Sequence, residues 1–190
     1  MELEFEVVDV FTRTAFAGNP LAVVLGAETL TTAQMQSVAG EFNLSETTFP
    51  LRPTAEESAR GVDYRLRIFT ASVELPFAGH PSVGTAWLMA RRGAVQPGRV
   101  VQACGAGDLP LTVPADGGRV QLSGGTPTLG TGPDSDLALA AVGLGRGDLA
   151  GQAVLTAGSG LPFAYLFVRP EALARAVPDL VAQRRRRAVT

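Results

Sequence analysis

Two segments of this 190-residue chain combine residue types that could move a proton. The first is Asn43-Leu44-Ser45-Glu46-Thr47-Thr48-Phe49, in which Glu46 follows a helix-like stretch and opens an apolar strand. A carboxylate placed there loses part of its hydration, which disfavours the charged form and raises its pKa toward neutrality. Such a group can take and return a proton near pH 7. The bland alternative is a solvated glutamate at a strand end, because most glutamates are exposed. The second segment is Glu74-Leu75-Pro76-Phe77-Ala78-Gly79-His80-Pro81, which holds the only histidine of the chain. Pro81 suits the first position of a helix, where its missing N–H costs nothing, so His80 is expected at or beside the N-cap. A helix dipole disfavours imidazolium at that end and attracts anions. A neutral histidine and a carboxylate-binding group of amides could share the place, or the imidazole could serve only as a cap. Gly79 would let a ligand come close to the backbone. Gly18-Asn19-Pro20 forms a turn that could aim the Asn19 amide into the same cleft.

Other polar residues carry less. Glu74 is expected to be an ordering salt-bridge or capping partner, and Cys104 a small buried residue, because no second cysteine or histidine lies near it in sequence. Gly105-Ala106-Gly107 lacks the spacing of a dinucleotide fingerprint, and no phosphate-binding loop with Gly-Lys-Ser or Gly-Lys-Thr occurs. All 16 basic residues are arginine, so a Schiff-base lysine is excluded.

The elements that must position Glu46 and His80 follow from hydrophobic period and turn residues. Leu3, Phe5 and Val7 alternate with acidic residues and pass into Val8 and Val10, which predicts a strand with its odd-numbered face buried first. Residues 22–25, 47–51 and 64–69 are expected strands. A helix is expected from Thr31, with a Thr-x-x-Gln capping box through Gln34 and a core face of Met35, Val38, Ala39 and Phe42. A second helix is expected from Pro81 to about Met89, ended by Gly93, and three short strands at 100–103, 109–113 and 119–122. Helices and strands of mixed length give an α+β class.

The first domain is read as residues 1–122. Residues 123–135 are Gly, Thr, Pro, Ser and Asp with one apolar Leu129, the composition of a linker. Residues 136–183 are read as an incomplete second domain, in which 159–167 align on 17–25 and residues 171–176 form the helix that follows. The last segment, 184–190, starts with four arginines and is expected to be a disordered tail; a frameshift near residue 183 is the favoured explanation for its abrupt composition.

A 46% hydrophobic content supplies a core. No apolar run reaches the roughly 18 residues that cross a bilayer, and the acidic start lacks the basic region of a signal peptide. A cytoplasmic location is therefore expected, with no membrane partner. A net charge of −2 gives no general attraction to nucleic acid, and the arginine run is too short to reverse that.

The motifs around Asn19, Glu46 and His80, in that order, together with Asp9-Val10-Phe11-Thr12 and Ile68-Phe69-Thr70, make the chain similar to PhzF-like phenazine-biosynthesis isomerases over residues 3 to about 180. The resemblance implies the diaminopimelate epimerase fold: pseudo-symmetric domains, each a sheet around a central helix, here one complete and one partial. It implies an isomerase that uses no cofactor and moves a proton between carbons of trans-2,3-dihydro-3-hydroxyanthranilate or a similar small cyclic carboxylate. Glu46 and His80 would be catalytic, and Asn19, Ser45, Gly79 and Pro81 would bind substrate. Family members are commonly homodimers. The related epimerases use two cysteines, whereas this slot reads Ala78-Gly79-His80-Pro81, so a two-thiol racemase is not expected. The family's Asp-Pro-Ala-Thr-Gly-Ser-Ala-like segment is missing from this sequence, so activity is expected to be impaired. The alternative is a non-catalytic remnant that binds a small carboxylate or a partner subunit.

Overall fold

The structure is a computed structural model that describes residues 2–124, 126–159 and 162–179. The chain divides into two compact units, Met1–Gly124 and Gly125–Thr190.

In the first unit the elements run β1 (Glu4–Val10), β2 (Asn19–Leu25), α1 (Thr32–Phe42), β3 (Glu46–Leu51), α2 (Ala55–Ala59), β4 (Tyr64–Phe69), β5 (Glu74–Leu75), α3 (Gly79–Arg91), β6 (Gly98–Cys104), β7 (Gly107–Val113) and β8 (Gln121–Leu122). The sheet order is β1-β2-β3-β4-β6-β7-β8, with β5 added to β4. Helix α3 touches β1, β2 and β3 at one end of that order and β7 and β8 at the other, so the sheet curls around it. The two faces of the sheet carry separate cores. Tyr64, Leu66, Ile68, Val100 and Leu111 pack on Ala86 of α3, and Val10, Leu21 and Val23 pack on Leu88. On the outer face Val24, Phe49 and Phe69 pack beneath Met35 and Ala39 of α1.

Local chemistry accounts for the ends of α1. Thr31 and Gln34 form the expected reciprocal capping box. Asn43 closes the helix in the left-handed region at φ 49, a conformation asparagine tolerates, and the chain turns there into β3.

Strand β1 has the opposite phase to the one its sequence suggests. Phe5 and Val7 are about half exposed, and Val8 and Val10 face α3. β1 is an edge strand whose outer face is covered only in part, with Phe5 set edge-on against Phe42 at 5.0 Å. Helix α3 begins at Gly79, two residues earlier than expected, with Ala78 as N-cap and Pro81 as its third residue. Proline is tolerated there because the N–H groups of the first turn have no acceptor within the helix.

Close packing of α3 makes Gly84 intolerant of a side chain. A Cβ at that position would lie 2.7 Å from Val10 Cγ2 and 2.8 Å from Leu21 Cδ2. Replacing a helical glycine by alanine gains about 1 kcal/mol of helix propensity, but overpacking a core costs about 1–3 kcal/mol. Both neighbours are held by paired strands, so Gly84→Ala is expected to destabilise the chain by about 1 kcal/mol in urea denaturation; an increase in stability would show that the strands yield.

The second unit contains β9 (Thr128–Thr131), α4 (Ser135–Ala140), a 3-10 turn at Arg146–Asp148, β10 (Leu155–Gly158), β11 (Phe163–Tyr165) and α5 (Pro170–Leu173). The strands form an antiparallel sheet in the order β11-β10-β9. Leu139, Leu144 and Ala172 make its small core. β9 lies inside the stretch read as a linker: its backbone groups pair with β10, and pairing overrides a glycine- and threonine-rich composition. Phe163–Tyr165 of β11 corresponds to Leu21–Val23 of β2 in the sequence alignment of the two stretches, and both are strands. Gly160, Leu161 and the arginine run at 184–187 lie outside the described residues.

Candidate active site

Glu46 opens β3, whose first pairing with the parallel β2 sets Glu46 opposite Leu21. His80 is the second residue of α3. Strand alternation puts Glu46 on the same face as Thr48, and Thr48 Oγ1 lies 2.9 Å from Thr85 Oγ1 of α3, both side chains buried. That contact fixes the helix against the strand one turn below His80. The result is a carboxyl and an imidazole brought together across the sheet–helix seam: His80 Nε2 lies 3.5 Å from Glu46 Oε2.

The pair is enclosed. The His80 side chain is 9% exposed and that of Glu46 17%. The two atoms are within ion-pair distance but not aligned as a hydrogen bond, and neither has another hydrogen-bond partner among the described residues. Burial pushes the Glu46 carboxyl above its ordinary value and holds the His80 imidazole below its own. Both shifts run toward the neutral forms. Unpartnered buried polar atoms are costly to a fold and need a reason. Thr47 Oγ1 is also buried and unpartnered, but alternation turns it to the opposite face, away from the pair.

Helix α3 offers donors beside the pair. No side chain caps it, and its first intrahelical bond runs from Ser82 N–H to the Ala78 carbonyl at 3.3 Å. The amides of Gly79 and His80 precede that bond and have no acceptor within the helix. A Cβ built on Gly79 would meet nothing within 4 Å, so the space above it is open. These amides, with the helix dipole behind them, suit a carboxylate.

The remaining candidates are placed unevenly. Asn19 is half-buried at the start of β2, two residues before Leu21 and on the same strand face, so it sits at the Glu46 end of the sheet. Ser45 is exposed just before β3. Pro81 is buried in the first turn of α3 and contributes shape, having no N–H to give. Glu74 lies elsewhere and forms a two-pronged pair with Arg67, both contacts at 2.7 Å. Cys104 is half-buried, and burial raises its thiol pKa, which opposes nucleophilic use. No group of three or more candidate metal ligands occurs among the described residues, and none of their helices is long and apolar enough to cross a membrane.

Sequence reasoning missed the buried polar chain beneath this site. Tyr64 Oη donates to Gln102 Oε1 at 2.9 Å, Gln102 Nε2 donates to Ser82 Oγ at 3.0 Å, and Ser82 Oγ donates to the Ala78 carbonyl at 2.9 Å. It braces the N-cap from β4 and β6. Its one legible sign was an uncompensated glutamine within the apolar stretch 100–103.

The electrostatics predict a pH-dependent stability. The folded-state carboxyl of Glu46 has a raised pKa, so the native chain binds more protons than the unfolded chain above the ordinary value of 4.5. Stability is then lost as pH rises from about 4.5 through the folded pKa. Glu46→Gln removes that loss: the variant is expected to melt a few degrees higher than the parent at pH 8 and together with it at pH 4. Equal melting differences at both pH values would refute the assignment.

A sheet curled about a buried helix is the architecture of the diaminopimelate epimerase-like class of α+β proteins. The fold is shared with a hydroxyproline epimerase of Agrobacterium vitis at a TM-score of 0.57 and 14% identity, over 86% of this chain and 51% of the other. It is also shared with a phenazine biosynthesis protein of the PhzF family from Bacillus anthracis at a TM-score of 0.77 and 25% identity, over 94% of this chain and 60% of that one.

A family model described as phenazine biosynthesis-like protein matches residues 8–185, and the chain belongs to this PhzC-PhzF family. Among curated relatives, antisense-enhancing sequence 1 of Schizosaccharomyces pombe is 43% identical over 114 residues, 59% of this chain and 37% of the relative. A trans-2,3-dihydro-3-hydroxyanthranilate isomerase of Pseudomonas fluorescens is 49% identical over 82 residues, 43% of this chain and 28% of that enzyme. The chain thus spans well under two thirds of the length of these relatives, and several relatives are named isomerases.

Proposed function

We propose that this chain carries the proton-transfer half of an isomerase acting on a small, unsaturated cyclic carboxylate of the trans-2,3-dihydro-3-hydroxyanthranilate kind. The observation that carries the proposal is the enclosed, unpartnered contact of 3.5 Å between Glu46 and His80 at the start of α3. The substrate carboxylate would take the free amides of Gly79 and His80, with Asn19, Ser45 and Pro81 shaping the surrounding wall. Glu46, made more basic by burial, would remove a proton from a ring carbon as the electron pair moves along the adjacent double bond. The same carboxyl, its proton exchanged with solvent, would return a proton at the far carbon, so that a proton and a double bond exchange places and the glutamate is regenerated. His80, kept neutral by burial, would assist from its place beside the carboxyl without itself carrying the proton.

Solvent-deuterium incorporation into that substrate, read by NMR, tests the proposal directly. Label entering a ring carbon is the expected result, and its absence would overturn proton transfer by this chain. A second reading is favoured by the open space over Gly79, which serves ligand capture without any chemistry: the chain binds a small carboxylate, or takes part in a homodimer, and turns nothing over. Carboxylate binding without label would select it.

A further inference from the structure

The loop between β1 and β2 holds two bulky residues in a conformation that side chains rarely adopt. Phe11 has φ 67 and Phe16 φ 64, in the left-handed region where a bulky residue is an outlier costing on the order of 1 kcal/mol or more. Neither ring is part of the core: Phe11 is 79% exposed and Phe16 98%. Strain of this kind persists only where the surroundings enforce it, and it concentrates at ligand clamps.

The surroundings do enforce it. Phe16 N–H donates to Asp9 Oδ2 at 2.6 Å, Thr14 N–H to Thr12 Oγ1 at 3.0 Å and Ala17 N–H to the Thr14 carbonyl at 3.3 Å. Gly18 is packed so tightly that a Cβ would lie 2.6 Å from both Thr12 Cγ2 and the Val10 carbonyl oxygen. The loop is thus folded back on itself and preorganised. Its first residue is delivered to the site: the Phe11 ring centroid is 6.3 Å from that of His80, with the planes tilted by 56°. The Phe11 ring is thus largely exposed beside the imidazole and makes no part of the core.

We infer that Phe11 is a specificity residue, the aromatic wall against which a flat, unsaturated ring lies when its carboxylate is held at the start of α3. This rests on the carboxylate-binding part of the proposed function. A planar ring against Phe11 gains an offset or edge-on contact that a puckered saturated ring cannot match. Exclusion of water from the pair of Glu46 and His80 would accompany that contact.

Benzoate and cyclohexanecarboxylate separate the idea, because both are monoanions of the same size at pH 7.5 and differ in flatness and π-electrons. Calorimetric or NMR titration of the full chain is expected to show benzoate bound about fivefold more tightly, the range of one aromatic contact. In Phe11→Leu the ratio is expected to fall to about one. Phe11→Gly is expected to do the same, and glycine is at ease at φ 67, so an equal or higher melting temperature would show that unfolding is not the cause. An unchanged ratio in both variants would overturn the inference, as would a parent chain that prefers the saturated ring or binds neither compound. The deuterium experiment on the parent chain reads the isomerase proposal separately and does not depend on Phe11.

Discussion

Glu46→Gln is expected to lower solvent-deuterium incorporation about 10³-fold, within the 10²–10⁴ range that one positioned acid–base group supplies. Glutamine keeps the shape and one hydrogen-bonding oxygen of the side chain but cannot carry a proton between carbons. The contact with His80 is 3.5 Å in the parent, so the imidazole can approach a neutral amide without clash and the site need not collapse. Carboxylate capture by the Gly79 and His80 amides uses none of the Glu46 atoms, so benzoate affinity is expected to stay close to that of the parent. That combination, lost exchange with retained binding, is what assigns the proton to Glu46 and not to His80. Loss of both would place Glu46 in binding, and full exchange in the variant would remove it from the chemistry. The parent rate should rise with pH as Glu46 ionises, with the limb above pH 4.5 because burial raises its pKa. The variant should lack that limb.

Much of this site could be read from residue order. Glu46 at the mouth of an apolar strand was legible from the pattern around it, and Pro81 put His80 near a helix start, although the helix begins at Gly79 and takes His80 as its second residue. Their meeting at 3.5 Å was not legible. It depends on the parallel pairing of β2 and β3 and on the curl of the sheet about α3, which are set by contacts between residues far apart in sequence. The phase of β1 failed for a similar reason: alternation shows that one face is buried but not which, and the position of α3 decides in favour of Val8 and Val10. β9 escaped notice because glycine and threonine in Thr128–Thr131 give no alternation, and its only warrant is its partner β10. Phe11 was read only as part of Asp9-Val10-Phe11-Thr12; its left-handed conformation gave no sign, because phenylalanine has no preference for it.

The polar chain under α3 carries the second large effect, and Gln102→Leu is expected to destabilise the first unit by about 1–2 kcal/mol. Tyr64, Gln102 and Ser82 are almost wholly buried, so water cannot replace a lost partner. Leucine leaves Tyr64 Oη without its acceptor, at about 1–3 kcal/mol, and takes from Ser82 Oγ one of its two hydrogen bonds, at about 1 kcal/mol. Apolar burial of the new side chain returns about 1–2 kcal/mol, which leaves the loss dominant. Tyr64→Phe strands only Gln102 Oε1 and should cost about 1 kcal/mol. In the double variant Tyr64 Oη no longer exists to be stranded, so the combined loss should be smaller than the sum of the two. The consequence reaches the site through Ser82, whose hydroxyl also holds the Ala78 carbonyl at the N-cap. With that brace weakened, the Gly79 and His80 amides lose their fixed aim, and benzoate binding should weaken in Gln102→Leu, a change that stability alone would not produce in a chain still folded. Urea denaturation of the three variants and titration at a temperature where all are native would decide it. Additive losses with unchanged benzoate affinity would reduce the chain from Tyr64 to Ala78 to ordinary core satisfaction, with no part in holding the amides toward a ligand.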